Sequence, residues 1–235
     1  MPRVNTLIGL VLTAVLSASA CAEHDDARQA GRTNQASDKA PARIIDYHSA
    51  RPLLWGALYA EGGETLYCGQ QFGASKGKNI NIEHVFPMSW VAWHLNCGQR
   101  KECRHTSVKF NLIEADLHNL WPSLKNINKA RSSHPFGMIN GEKHLMRGCD
   151  FDVDERRRVV EPRPRARGEI ARSMFYMANE YGLQIRAKQG RTLKLWSRED
   201  VVSAEEKRRN DVIEKIQGNR NPYVDNPMLT DNLRF

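Results

Sequence analysis

Four cysteines, Cys68, Cys97, Cys103 and Cys149, constrain this chain most, because of what precedes them. Residues 1–20 read as a secretory signal. Arg3 is its charged start. Leu7 to Leu16 is an apolar run too short to span a bilayer, and Ala18-Ser19-Ala20 has the small-x-small pattern of a cleavage site. In an oxidising compartment an even set of cysteines forms disulfides, and four of them admit three pairings. Cys97 and Cys103 close a short loop and are expected to pair, so Cys68 with Cys149 follows by elimination. A zinc reading competes, because His94-x-x-Cys97-x5-Cys103-x-His105 has suitable ligand types. Its unusual spacing and the export signal make it the weaker reading. Cys21, directly after the cut, admits a lipid anchor, although Ala18 stands where lipoprotein signals usually carry Leu.

Residues 21–43 are polar with almost no bulky apolar side chain, so they are expected to be a flexible leader. Residues 44–227 carry no repeat and no linker, which predicts one α+β domain, with 228–235 as a tail. Ser49 is expected to cap a helix with Pro52 in its first turn, ended by Gly62-Gly63. A short strand is expected over 65–68, then a turn-rich connection over 69–78. A further strand over 79–85 is closed by Pro87. Residues 90–95 fit a helical turn and 96–109 a polar, disulfide-closed loop. Pro122 is expected to break the next segment, with Ser123 or Asn126 capping a helix from near Asn128. Strands follow at 151–153 and 159–160. Ile170, Met174, Met177 and Tyr181 recur at helical spacing, predicting a helix over 168–181 stopped by Gly182. Ser203 and Glu206 form a capping box for a helix running to about Gln217. No later stretch is long and apolar enough to cross a membrane.

Formal net charge is +8 over 235 residues, which suits a polyanionic partner such as nucleic acid and equally a merely soluble surface. Phosphodiester cleavage needs an activated water, a counter-charge and help for the leaving oxygen. Glu83-His84 sets a carboxylate beside an imidazole at the end of a strand, offering a metal ligand and a base. Strand neighbours point to opposite faces, so the alternation must break there for both to serve one site. Glu114, Asp116, His118 and Asn119 cluster next. As a strand, that segment would show the first three on one face. Asn128 and Arg131 then give an amide oxygen, suited to a hard cation, and a guanidinium suited to phosphate.

In this order, Glu83-His84-Val85-x-Pro87, Glu114-Ala-Asp-Leu-His-Asn-Leu-x-Pro122 and Asn128-x-x-Arg131-Ser132 resemble the bacterial endonuclease I family. These are periplasmic or secreted nucleases of the ββα-metal (His-Me finger) superfamily. Tyr67-Cys68-Gly69, Arg165-Ala-Arg-Gly168, Glu180-Tyr-Gly-Leu183 and Ile216-Gln-Gly-Asn219-x-Asn-Pro222 extend the likeness over about residues 44–224. The resemblance implies an α+β fold with a ββα-metal core, surrounding helices and disulfide-closed loops. It implies Glu83 and Asn128 as ligands of one Mg²⁺, with Ca²⁺ or Mn²⁺ as substitutes. His84 would be the general base, and Arg100 the arginine at the scissile phosphate. Glu114 and His118 would be supporting residues of the catalytic set. Residues 114–120 would be a strand, with Asn128 on the crossing helix. DNA, and RNA too, would be cut with little sequence preference, leaving 5′-phosphate ends. Arg131, Arg165, Arg167 and Arg172 are further candidates for nucleic-acid binding, as are Arg147 and Arg163. The chain is expected to act as a monomer, periplasmic or secreted. The competing function is an exported basic nucleic-acid-binding protein with an inactive site. Gln70 stands where the family often carries another cysteine, so one family disulfide is missing.

Overall fold

The computed structural model describes residues 44–141 and 148–235, which fall in one compact unit. The signal and leader expected over 1–43, Cys21 and Arg147 lie outside the described residues. Asp46, not Ser49, caps the first helix, α1 (Tyr47–Leu53): its carboxylate accepts from the Ser49 N–H at 2.8 Å. Pro52 therefore falls beyond the first turn, where it has no N–H for the His48 carbonyl, and a π-helical stretch, Leu54–Leu58, follows. β1 (Gly62–Glu64) pairs antiparallel with β2 (Gln71–Gly73). A Cβ at Gly62, whose φ is 100°, would stand 2.1 Å from the Phe72 carbonyl oxygen, so only glycine fits. Residues 65–68, expected as a strand, are bonded instead as turns that hold Tyr67 and Cys68, and β2 lies inside the expected connection.

β3 (Ile80–His84) leads through Pro87 into α2 (Met88–His94). The segment expected as a polar loop folds as α3 (Arg100–Thr106), and α4 (Val108–Ala115) follows directly. Local caps account for the difference. Glu102 accepts from the Gln99 N–H at 2.7 Å, and the Ser107 hydroxyl from the Phe110 N–H at 3.1 Å. Glu114 thus sits on a helix. A 3-10 turn, Leu117–Asn119, separates it from β4 (Leu120–Leu124), so Glu114, Asp116 and His118 do not share a strand face. Pro122 lies within β4 opposite Ile82, and α5 (Lys125–Arg131) starts earlier than expected, after Leu124. β3 and β4 pair antiparallel from Ile80–Leu124 to His84–Leu120, and α5 crosses behind them, which completes a ββα unit.

β5 (Phe151–Asp154) pairs antiparallel with β6 (Val159–Pro162). Pro164 opens α6 (Pro164–Tyr181), and Gly182 ends it at φ 67°. α7 (Ala187–Glu199) was not anticipated. α8 (Ala204–Gln217) begins on the Ser203–Glu206 capping box and stops at Gly218. α9 (Pro222–Asp225) and a 3-10 turn, Pro227–Asn232, close the chain, and the Phe235 ring stacks on Phe175 at 5.6 Å. The expected tail is therefore packed.

The larger core gathers Ile170, Met174 and Phe175 of α6 with Phe110, Phe151 and Trp196. A smaller one joins Leu54, Leu58 and Leu120 to Ile213 of α8. Each such side chain contributes about 1.5–3 kcal/mol by leaving water. β4 lies between the cores, with Trp121 in the larger and Leu120 in the smaller. Cys68 is bonded to Cys149 and Cys97 to Cys103. The second bond removes two ligands from the zinc reading. Among the described residues no group of three or more His, Cys, Asp or Glu could hold a metal, and no helix is long and apolar enough to cross a membrane.

Candidate active site

The end of β3 is made by a side chain. Beyond His84 one main-chain bond remains, from the Val85 N–H to the Asn119 carbonyl at 3.1 Å, and then the Asn119 side-chain amide replaces the ladder: its Oδ1 accepts from the Phe86 N–H at 2.6 Å, and its Nδ2 donates to the Phe86 carbonyl at 3.1 Å. The strand stops there, and both Glu83 and His84 line one cleft of about 560 Å³ together with Arg100, Asn128 and Arg131. Segments distant in sequence, β3, α3 and α5, meet at this cleft.

Glu83 is buried at 3% exposure. Its Oε1 accepts from the Tyr67 hydroxyl at 2.8 Å and faces Arg131 Nη1 at 3.2 Å. Oε2 has no protein donor among the described residues. Burial pushes the Glu83 carboxyl up to about 7, against the pull of Arg131 and Tyr67. Tyr67, buried beside a carboxylate, is held well above the usual phenol range and stays a donor. His84 Nε2 lies 2.9 Å from the Glu114 main-chain carbonyl. A carbonyl only accepts, so Nε2 carries the proton and Nδ1 keeps its lone pair. Burial lowers the His84 imidazole to about 4, assisted by the Arg100 charge.

Asn128 Nδ2 donates to Asn81 Oδ1 and to the Ile82 carbonyl, both at 3.1 Å. Anchoring the nitrogen leaves Oδ1 as the uncommitted end. Arg100 is 45% exposed and bonds Glu114 through Nε alone, at 2.5 Å. The rest of its fork makes no hydrogen bond among the described residues, and the guanidinium lies over the Tyr47 ring at 5.7 Å. Glu114 is buried beneath it and does not line the cleft. Burial would raise its carboxyl, but hydrogen bonds from Arg104 and Arg100 outweigh that and hold it below the usual range. Its carboxylate bonds Arg100 and its main-chain carbonyl bonds His84.

Other candidates are not brought to the cleft as binding groups. Arg131 reaches it but is 1% exposed: its Nη1 and Nη2 face Glu83 and donate to the His84, Ser132 and Val85 carbonyls, while its buried Nε has no partner among the described residues. It shapes the strand end and has no exposed surface for a phosphate. His118 packs on Tyr176 at 4.4 Å, with Nε2 3.3 Å from the Asn219 carbonyl, inside a network around Asp116. Arg172 is fully buried in a two-pronged pair with Glu206. Arg167 pairs with Glu161 and lies over the Trp196 ring. Arg165 is exposed but lines a different hollow, with Arg163 and Glu169. Sequence reading missed Tyr67, Asn81 and Arg104 as supports. Tyr67 had one signal, its place beside Cys68; the other two had none.

A hard cation keeps most of its waters and takes few protein oxygens. Glu83 Oε2 and Asn128 Oδ1, both uncommitted among the described residues and both oxygen donors, fit that demand. The family model of Endonuclease I matches residues 22–228. Among relatives, an "Extracellular deoxyribonuclease" of Aeromonas hydrophila is 32% identical over 93% of this chain and 96% of its own length. A "Periplasmic deoxyribonuclease" of the same species is 37% identical over 65% of each chain, so this chain spans just under two thirds of that relative. An "Extracellular ribonuclease" of Bacillus amyloliquefaciens is 29% identical over 97% of this chain and 84% of its own length. By its ββα unit and by that match, the chain belongs to the endonuclease I family.

Proposed function

We propose that this protein is an exported, nonspecific endonuclease that hydrolyses phosphodiester bonds of DNA, and of RNA, and leaves 5′-phosphate ends. The observation that carries the reading is the state of His84: Nε2–H is fixed on a carbonyl, and Nδ1 is left as a neutral base in the same cleft as Glu83 and Asn128. Nδ1 would take the proton of the attacking water. Glu83 and Asn128 would hold one divalent cation, Mg²⁺ with Ca²⁺ or Mn²⁺ as substitutes, which when bound neutralises charge developing on the phosphate. Arg100, aimed by Glu114, would contact the phosphate through the uncommitted part of its fork. Relatives named as deoxyribonuclease and ribonuclease support both substrates, and the names periplasmic and extracellular support a location outside the cytoplasm. In this reading the nuclease domain runs over 44–227.

Supercoiled plasmid incubated with purified protein and Mg²⁺ is expected to be nicked, and EDTA to stop it. Glu83→Gln should weaken Mn²⁺ binding measured by calorimetry without nucleic acid. Salt-sensitive DNA binding with no cleavage by metal-replete protein would select the competing reading, a basic binding protein with an inactive site.

A further inference from the structure

The cleft uses one side of α2, through Met88, Ser89 and Ala92. The other side lines a separate hollow of about 280 Å³. Phe86, Trp90 and Trp93 supply three aromatic rings to it, and His94, Gln184 and Arg186 supply polar groups. Phe86 and Trp90 meet edge to face at 5.7 Å, which fixes that wall. Trp93 is 78% exposed. Isolated exposed apolar residues need no explanation. Here the exposed indole joins two further rings around a concavity, and Arg186 is exposed with no carboxylate partner among the described residues. The hollow and the cleft thus share α2 as a wall, and Phe86 stands two residues after His84.

We propose that this hollow is a stacking subsite for an unpaired nucleobase flanking the phosphate held in the cleft. It rests on the nuclease reading for the identity of the strand. A nucleobase has a flat π-face for indole and a polar edge for His94, Gln184 or Arg186, and its backbone is an anion that suits Arg186 and the basic chain. Bases inside an intact duplex are stacked on each other and do not offer a free face. The subsite therefore favours single strands and frayed or looped-out positions over blunt duplex.

The test measures binding of a labelled single-stranded oligonucleotide and of the same sequence as a blunt duplex, by anisotropy in EDTA. Trp93→Ala is expected to weaken single-strand binding about 5- to 150-fold, the range for loss of one stacked base. Duplex binding, held by phosphate contacts, should change less than about twofold. Trp93→Phe should restore most of the loss. An abasic position in the oligonucleotide should reproduce the loss in the wild-type protein and add nothing to Trp93→Ala. Equal loss on both ligands, or on neither, overturns the subsite. Plasmid nicking with Mg²⁺ is scored on the same wild-type preparation. Binding without nicking overturns the nuclease reading and leaves the subsite to the oligonucleotide data. Nicking with undiminished single-strand binding by Trp93→Ala overturns the subsite alone.

Discussion

The His84 imidazole is kept neutral, with Nδ1 bare, by two influences that no sequence pattern announces. The Glu114 carbonyl fixes its tautomer, and burial lowers its pKa to about 4 from an ordinary 6.5. The folded imidazole therefore stays neutral through the range where the unfolded one gains its proton. Stability tied to neutral His84 is present above pH 6.5 and is lost as pH falls toward 4. Buried Glu83 works oppositely: its folded pKa is raised to about 7 from 4.5, so its contribution is lost as pH rises through that window. Nitrogen-detected NMR of the metal-free protein should show one imidazole with Nε2–H and a bare Nδ1 that resists protonation until about pH 4. Protonation of His84 near pH 6.5 would remove this account. His84→Ala should lower turnover by about 10²- to 10⁴-fold, the usual worth of a general base, while DNA affinity in EDTA persists. Residue types at the cleft were legible: the carboxylate, imidazole and amide singled out in the sequence, Glu83, His84 and Asn128, do line one cleft. The use of each arginine was not. Arg131 and Arg100 look alike in sequence, yet one turns its two terminal nitrogens on Glu83 and three carbonyls and the other bonds only through Nε. Only burial separates them.

Elements with clear caps were read well, since Gly182, Gly218 and the Ser203–Glu206 box act within a few residues of themselves. α3 has the look of a loop in sequence because its helix, RKECRHT, has no apolar face to betray it. Its helicity comes from local capping and from packing of Cys103. The strand expected at 114–120 failed for the converse reason. Its alternating polar residues look like one sheet face, but Glu114 ends a helix and Asp116 caps a 3-10 turn. Arg172 links α6 to α8 and shows what the composition hides. Its guanidinium gives two bonds of 2.6 Å to Glu206, and the same carboxylate caps α8 through the Ser203 N–H at 3.1 Å. Removing one partner of a buried pair leaves an uncompensated charge, so Arg172→Ala should cost about 3–5 kcal/mol of unfolding free energy in urea. Arg172→Lys should recover only part, because one ammonium cannot reproduce the two-pronged contact. A loss under 1 kcal/mol for Arg172→Ala would return Arg172 to the list of candidate nucleic-acid contacts.

At the scale of the whole molecule, the two disulfides close loops of very different size. Cys97 and Cys103 are 6 residues apart, whereas Cys68 and Cys149 are separated by 81. Every residue assigned to the cleft, from Glu83 to Arg131, lies within the longer loop, while α6, α7 and α8 lie outside it. Loop-closure entropy makes the longer bond worth about 4.5 kcal/mol and the shorter about 2 kcal/mol. Cys68→Ser with Cys149→Ser should therefore lower Tm by roughly 10–15 °C, and Cys97→Ser with Cys103→Ser by about half as much. The longer bond also has a local task. Tyr67 precedes Cys68, and its hydroxyl holds Glu83 from 2.8 Å. Freed from Cys149, residues 67–69 lose their covalent tie to the segment before β5 and keep the packing of the Tyr67 ring on Phe151 at 5.0 Å, so the donor beside the carboxylate is held less firmly. Mn²⁺ affinity, measured by calorimetry well below Tm, should accordingly fall in the Cys68/Cys149 variant and hold in the Cys97/Cys103 variant. Equal affinities alongside unequal Tm values would confine the longer bond to global stability and detach it from the site.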